Sequence, residues 1–529
     1  TIAMSGGTLD SDESSTVSGA LSHTADIEID VATSKTLTYS GAAISLGANT
    51  ITLSGGGSLV SGGLTLNDAD SKLLLNSITL DSASTSADSL GLDVDNNSTI
   101  TSLSVGHITP VSIAAGKSLS GAIGVTAGSV KLNETGTLAS TIAMSGGTLD
   151  ADESSTVSGS LTQSGDIALD VADNKTLTYS GAAVSLGANT LTLSGGGTLG
   201  NTNAFVLNNA NSKLLLNSIT LDSASTSSDS LGLDIDTNST VTSLSVSHIT
   251  PVSIAAGKSL SGAVTVTAGS LKLNETGTLA STIAMSGGTL DADESSTVSG
   301  ALSHTADIEI DVTTGKTLTY SGTAISLGAN TITLSGGGSL VSGGLTLNDA
   351  DSKLLLNSIT LDSASTSADS SGLDVDNNST ITALSVGHIT PVSIAAGKNL
   401  SGAVTVTAGS LKLNETGTLA STIAMSGGTL DADETSIVSG TLTQSGDIAI
   451  DIATGKTLTY SGAAISLGAK TMTLSGGGSL VSGGLALNNA DSKLLLNSIT
   501  LDSVSTSADS LGLDVDNNST ITALSVGHI

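Results

Sequence analysis

The sequence predicts an all-β fold, a parallel three-sided β-solenoid or β-helix, on three observations: a long repeat, a short repeat within it, and a composition suited to a narrow aliphatic core. "TIAMSGGTLD" begins at Thr1, Thr141, Thr282 and Thr422. The chain therefore divides into repeats 1–140, 141–281, 282–421 and a partial 422–529, read as one continuous rod cut from a longer array. The second repeat carries one added residue between Leu199 and Leu207, where "GGGTLGNTNAFVLNN" replaces "GGGSLVSGGLTLN". Gly and Asn there mark a turn, so the insertion implies an exposed corner.

Within the first repeat, a small polar residue followed by an aliphatic one recurs. The pairs begin at Thr16, Thr36, Ser58, Ser77, Thr99, Ser118 and Thr137, in steps of 19 to 22 residues, so seven rungs make one repeat. Each rung carries further alternating stretches, such as Ile44–Leu46 in its middle and Ile27–Val31 or Val111–Ile113 near its end. Period-two alternation is the pattern of a half-buried strand, and no stretch shows helical periodicity. Three short strands and three corners per rung describe a solenoid. Stacked about 4.8 Å apart, some 26 such rungs would make a rod roughly 125 Å long.

The composition agrees. There are one Phe, no Trp, four Tyr and 63 Gly in 529 residues, too few aromatics to fill a wide core. Every tyrosine lies in "TLTYSG", which starts at Thr36, Thr176, Thr317 and Thr457. Thr36 and Thr38 are expected to point out and Leu37 in, with Tyr39 turned inward or marking a corner. A string of immunoglobulin-like sandwiches fits less well, because those carry core aromatics and less regular spacing.

The 47 acidic and 15 basic residues leave a net charge of −32, and every basic residue is Lys. Nucleic acid is disfavoured as a partner. With no Cys there is no disulfide or thiolate chemistry. No apolar run approaches the ~20 residues of a membrane helix, so no membrane insertion is expected within this segment.

At this point a resemblance emerges. Rungs of this size bearing "GGTLDAD", "TGTLAST", "GGSLVSGG" and "LTLNDAD" resemble the repeats of filamentous-haemagglutinin-type adhesins and autotransporter passenger domains. The likeness spans the chain and is one of pattern and composition. It implies a right-handed parallel β-helix, bacterial secretion and a cell-surface or extracellular role. Copies as alike as these are unusual in those families and point to a spacer or fibre body.

Candidate chemistry is sparse. There is no GxSxG and no HExxH, and "SGGG" at Ser54–Gly57 is not followed by GK[ST]. His23 and His304 are replaced by Gln163 and Gln444 in the other two copies, so that position does not need an imidazole. His107 and its counterparts read as surface histidines at a turn. No catalytic residue, and no enzymatic activity, is expected; a polysaccharide-acting β-helix enzyme is the remote alternative.

The acidic clusters are the better lead. "TLDSDESS" places Asp10, Asp12 and Glu13 late in one rung, and "ADIEIDV" places Asp26, Glu28 and Asp30 on the outward side of the next. Stacking should bring the two clusters side by side. The pattern returns as Asp150, Asp152 and Glu153 with Asp166 and Asp170. Converging carboxylates suit Ca²⁺, a hard cation with 6–8 oxygen ligands, so these are candidate calcium residues. The competing reading is a solvated anionic stripe that keeps the rod soluble. "LDVDNNST" at Leu92–Thr99 is a second, weaker calcium candidate without the usual Gly.

A Ser/Thr rank (Thr16, Thr36, Ser77, Thr99 and Ser118, each with a second Ser or Thr two residues on) resembles ice-binding solenoids, although Val60 and Ala139 interrupt it. Asn96 and Asn133 fit the glycosylation pattern but read as corner residues. Lys72 and its counterparts read as exposed on their strand. The leading expectation is a secreted structural rod that associates with itself, head to tail or laterally. A binding face for glycan, host surface or ice is the alternative.

Overall fold

A computed structural model describes residues 1–528. They form two compact units, Thr1–Thr265 and Val266–Ile529, whose boundary falls inside the second repeat. Among the described residues there is no helix, and within each unit the paired strands run parallel. Each unit is a β-solenoid with rungs of about 20 residues, as the alternation predicts.

In the first unit a rung has three sides. Thr36–Tyr39 forms the first, Ile44–Ser45 the second and Thr50–Ser54 the third. On the third side, Ile29, Leu53, Leu75, Val94 and Ile113 stack in register over five rungs, each no more than 2% exposed. Ile310, Leu334, Leu356, Val375 and Ile394 repeat this ladder in the second unit. Each fully buried aliphatic side chain contributes about 1.5–3 kcal/mol, so the solenoid is held by many small equal terms along its axis.

Later rungs of each repeat depart from three separate strands. Thr79–Thr85, Ser98–Val105 and Ser118–Val125 each run through the first two sides as one strand. The segments joining those sides lack the Gly pairs that make a corner elsewhere. Between Ser98–Val105 and Ser118–Val125 a bulge at Ile100–Leu103 accommodates the bend. Gly121 lies opposite Ile100 with φ 119°, where a Cβ would strike the Ile100 carbonyl, so the bulge requires glycine there.

The register corrects the sequence in two places. Thr16 pairs with Thr38 and Val17 with Tyr39, two residues beyond the pair starting at Thr36. Ser77 lies in a turn at φ 57°, and Thr79–Leu80 is what stacks on Ser58–Leu59. Side chains alternate with period two, so a two-residue slip preserves the inward and outward pattern and escapes detection by pattern alone. The "TLTYSG" strand alternates as expected: Leu37 and Tyr39 are buried, Thr36 and Thr38 half-exposed.

Candidate functional site: the acidic third side

The outward residues of the third side form columns. Asp10 lies opposite Asp30, and Asp30 opposite Ser54; beside them run Thr8, Glu28 and Thr52. Ser54 Oγ lies 2.7 Å from Glu28 Oε1 and 2.8 Å from Asp30 Oδ2, within reach of both carboxylates. Across the boundary into the second repeat, Lys131 aligns with Asp150, Asp170 and Ser194, with the Ser194 hydroxyl on Asp170. In the second unit the columns are Lys272, Asp291, Asp311, Ser335 and Lys412, Asp431, Asp451, Ser475.

The sequence therefore brings Asp10 to Asp30, with Glu28 beside them at Ser54, and Asp150 to Asp170, but Asp26, Asp166, Glu13 and Glu153 are engaged elsewhere. Asp26 and Asp166 accept the backbone N–H of Thr50 and Thr190 at 2.7 Å, each fastening a corner to the rung above. Glu13 pairs with Lys35, and Glu153 with Lys175 at 2.7 Å. Asp152 turns back to Lys131, whose ammonium is 3.1 Å from both Asp150 and Asp152. Among the described residues no three His, Asp or Glu side chains are grouped so as to hold a metal ion.

Lys131 is the site residue that sequence reasoning missed. It lies 19 residues before Asp150, one rung away on an outward position of "VKL", so the spacing that aligned the aspartates also reached it. Lys72 is likewise not simply exposed: it is half-buried and 2.7 Å from Asp93 on the next rung.

Electrostatics set Asp150 apart from its neighbours. Burial pushes its carboxyl above the ordinary range, more than the Lys131 contact pulls it down, with Asp152 and Asp170 adding repulsion. Asp291 and Asp431 are raised for the same leading reason. Hydrogen bonding to Asp150 in turn raises Lys131. The Oδ1 atoms of Asp150, Asp291 and Asp431 are buried without a hydrogen-bond partner in the protein. At a corner of the fourth repeat the balance reverses. Burial opposes ionisation of Asp502, but N–H groups of Ser482, Ser503 and Gly483 and the Ser482 hydroxyl hold it below the usual carboxylate range.

The Ser/Thr rank lies on the first side, where Thr36, Ser58, Thr79 and Thr99 stack in register. Thr99 and Ser120 hydroxyls bond each other at 2.7 Å, as do Thr240 and Ser261. Val60 stands exposed within the rank. His107 sits at its turn with Nδ1 3.8 Å from Asp88.

No family model, curated protein or solved structure matches the chain.

Proposed function

We propose that the chain is the structural repeat region of a secreted or cell-surface bacterial fibre or adhesin, a rigid extracellular rod without enzymatic activity whose copies associate end to end or side by side. One observation above all supports this reading. Chemistry on the outward sides recurs repeat by repeat, Asp150 by Lys131, Asp291 by Lys272 and Asp431 by Lys412, so the polar clusters are part of the repeat. A surface with this much carboxylate favours solubility.

Negative-stain microscopy of the purified chain tests it. Uniform rods that shorten by a fixed length when one repeat is deleted are expected; compact particles of unchanged outline would overturn the reading. Saturable glycan or cell binding lost on altering a single side would favour the adhesin alternative.

Calcium enters this proposal as a counter-ion of the acidic columns. At Asp150 and Asp152 a divalent cation competes with the Lys131 ammonium for the same oxygens. Millimolar Ca²⁺ is therefore expected to raise Tm more in a Lys131→Ala, Lys272→Ala, Lys412→Ala variant than in the unaltered chain. Equal response of the two proteins would remove these carboxylates as the site.

A further inference from the structure

Among the described residues, a side of the coil loses its backbone ladder at an equivalent place in each repeat. From Ile44 to Leu161 the second side is continuous, through Leu64, Ala83, Leu103, Ile123 and Ile142. Leu21–His23 pairs with the rung before it, yet no strand pairing joins it to Ile44–Ser45. The same interruption separates Leu161–Gln163 from Val184–Ser185, Leu302–His304 from Ile325–Ser326, and Leu442–Gln444 from Ile465–Ser466. The chain takes 23 residues from Leu21 to Ile44, against 20 from Ile44 to Leu64. Those extra residues let the second side part while the first and third stay paired, through Val17 with Tyr39 and Ile29 with Leu53.

Side chains take over where the ladder stops. Leu21 donates its N–H to the Tyr39 hydroxyl at 2.9 Å, and Leu161, Leu302 and Leu442 do the same to Tyr179, Tyr320 and Tyr460 at 3.1, 3.0 and 2.9 Å. Tyr179 and Tyr320 pass the bond on to the carbonyls of Ala182 and Thr323, both at 2.7 Å. A second side chain crosses the gap itself. His23 Nε2 lies 3.1 Å from the Ser45 carbonyl, and Gln163 donates to the Leu186 carbonyl at 2.7 Å. His304 and Gln444 reach Ser326 and Leu467 in the same way. Gly181 completes the seam, since a Cβ there would sit 2.6 Å from the Tyr179 oxygen.

A continuous parallel ladder opens only by breaking a run of backbone bonds. A seam with two side-chain bonds on one of its three sides has fewer to break, and local opening concentrates where protected backbone bonds are fewest. We propose that the tyrosine seams are the breakaway joints of the coil, where it opens first, so that it yields in blocks one repeat long. The inference rests on the coil geometry and holds whether or not the chain is exported.

Native-state hydrogen exchange on the full chain tests this, with Tyr179→Phe as the probe because it removes the hydroxyl and keeps the ring. Peptides covering residues 161–186 should exchange at least tenfold faster than those covering 103–123. The substitution should raise exchange at Leu161 by about tenfold, the equivalent of a lost hydrogen bond, and leave 103–123 unchanged. Equal protection of the two regions, or a uniform rise across both, would overturn the proposal. Pulling single molecules gives a second readout. Steps near the contour length of 140 residues, about 480 Å, are expected. Release one rung at a time, or all at once, would refute the joints.

Discussion

The corner after Leu199 and its counterpart after Leu340 reach the same end by different means. After Leu340 the chain turns through Ser342, Gly343 and Gly344, the glycines at φ 66° and 114°. Ser342 Oγ donates to Asp362 at 3.0 Å and the Gly343 N–H does so at 2.9 Å. After Leu199 the glycine pair is gone, and Asn201, Thr202, Asn203 and Ala204 make a corner one residue longer. Asn201, 6% exposed, holds it by donating to the Asn203 and Ser223 carbonyls at 2.8 and 2.9 Å and accepting the Ser223 N–H at 3.0 Å. Both corners deliver the next strand to the same place: Phe205 opposite Ala224, Leu345 opposite Ala364. Corner length is free because side chains fasten the corner; register is fixed because inward residues must land on the ladder.

The strongest way to break that comparison is to remove the anchor at the end of the longer corner. Phe205 is fully buried, with its ring 6.1 Å from that of Tyr179. Phe205→Ala should cost about 3–5 kcal/mol locally, read as lost exchange protection over residues 199–226. Leu345→Ala at the shorter corner should cost somewhat less, about 2–5 kcal/mol. Next comes Asn201→Ala, which strands the Ser223 N–H and carbonyl. About 2–3 kcal/mol should be lost, confined to the same residues; a loss below 0.5 kcal/mol, within ~RT, would mean the corner holds itself. Exchanging Ser342–Gly344 for the Asn201–Ala204 sequence should change stability by less than about 1 kcal/mol and leave protection beyond Leu345 intact. A register slip beyond Leu345 would refute the independence of corner and ladder.

The smallest effect concerns a contrast along one column, Asp150 half-buried beside Lys131 against Asp170 capped by Ser194. A carboxyl raised by burial binds its proton more tightly folded than unfolded. Its contribution to stability is complete below the unfolded carboxylate's titration and is lost as pH rises through the raised folded one. Asp150→Asn with Asp291→Asn and Asp431→Asn should therefore flatten the fall in Tm on going from acid to neutral pH. A steeper fall in the variant would reverse the assigned sign.

Much of this was legible in the sequence. Alternation and the seven-rung period gave the solenoid, and stacking gave the neighbours Asp10–Asp30 and Asp150–Asp170. Register was legible only modulo two residues, which is why the pairs at Thr16 and Ser77 were misaligned. The fused strand Thr79–Thr85 escaped because a missing corner leaves no positive signal. Lys131 was within reach of the same arithmetic applied one rung earlier. The work of Tyr39 was not, since its partner is a backbone N–H that any residue but proline at position 21 would offer.

Leu9 faces Ile29, Leu149 faces Leu169, Leu290 faces Ile310 and Leu430 faces Ile450: one pairing, four times. Recombination between any two equivalent positions in the gene would rejoin residues that already suit each other's neighbours. The chain can therefore be lengthened or shortened by whole repeats in a single genetic event, with no packing problem to solve afterwards.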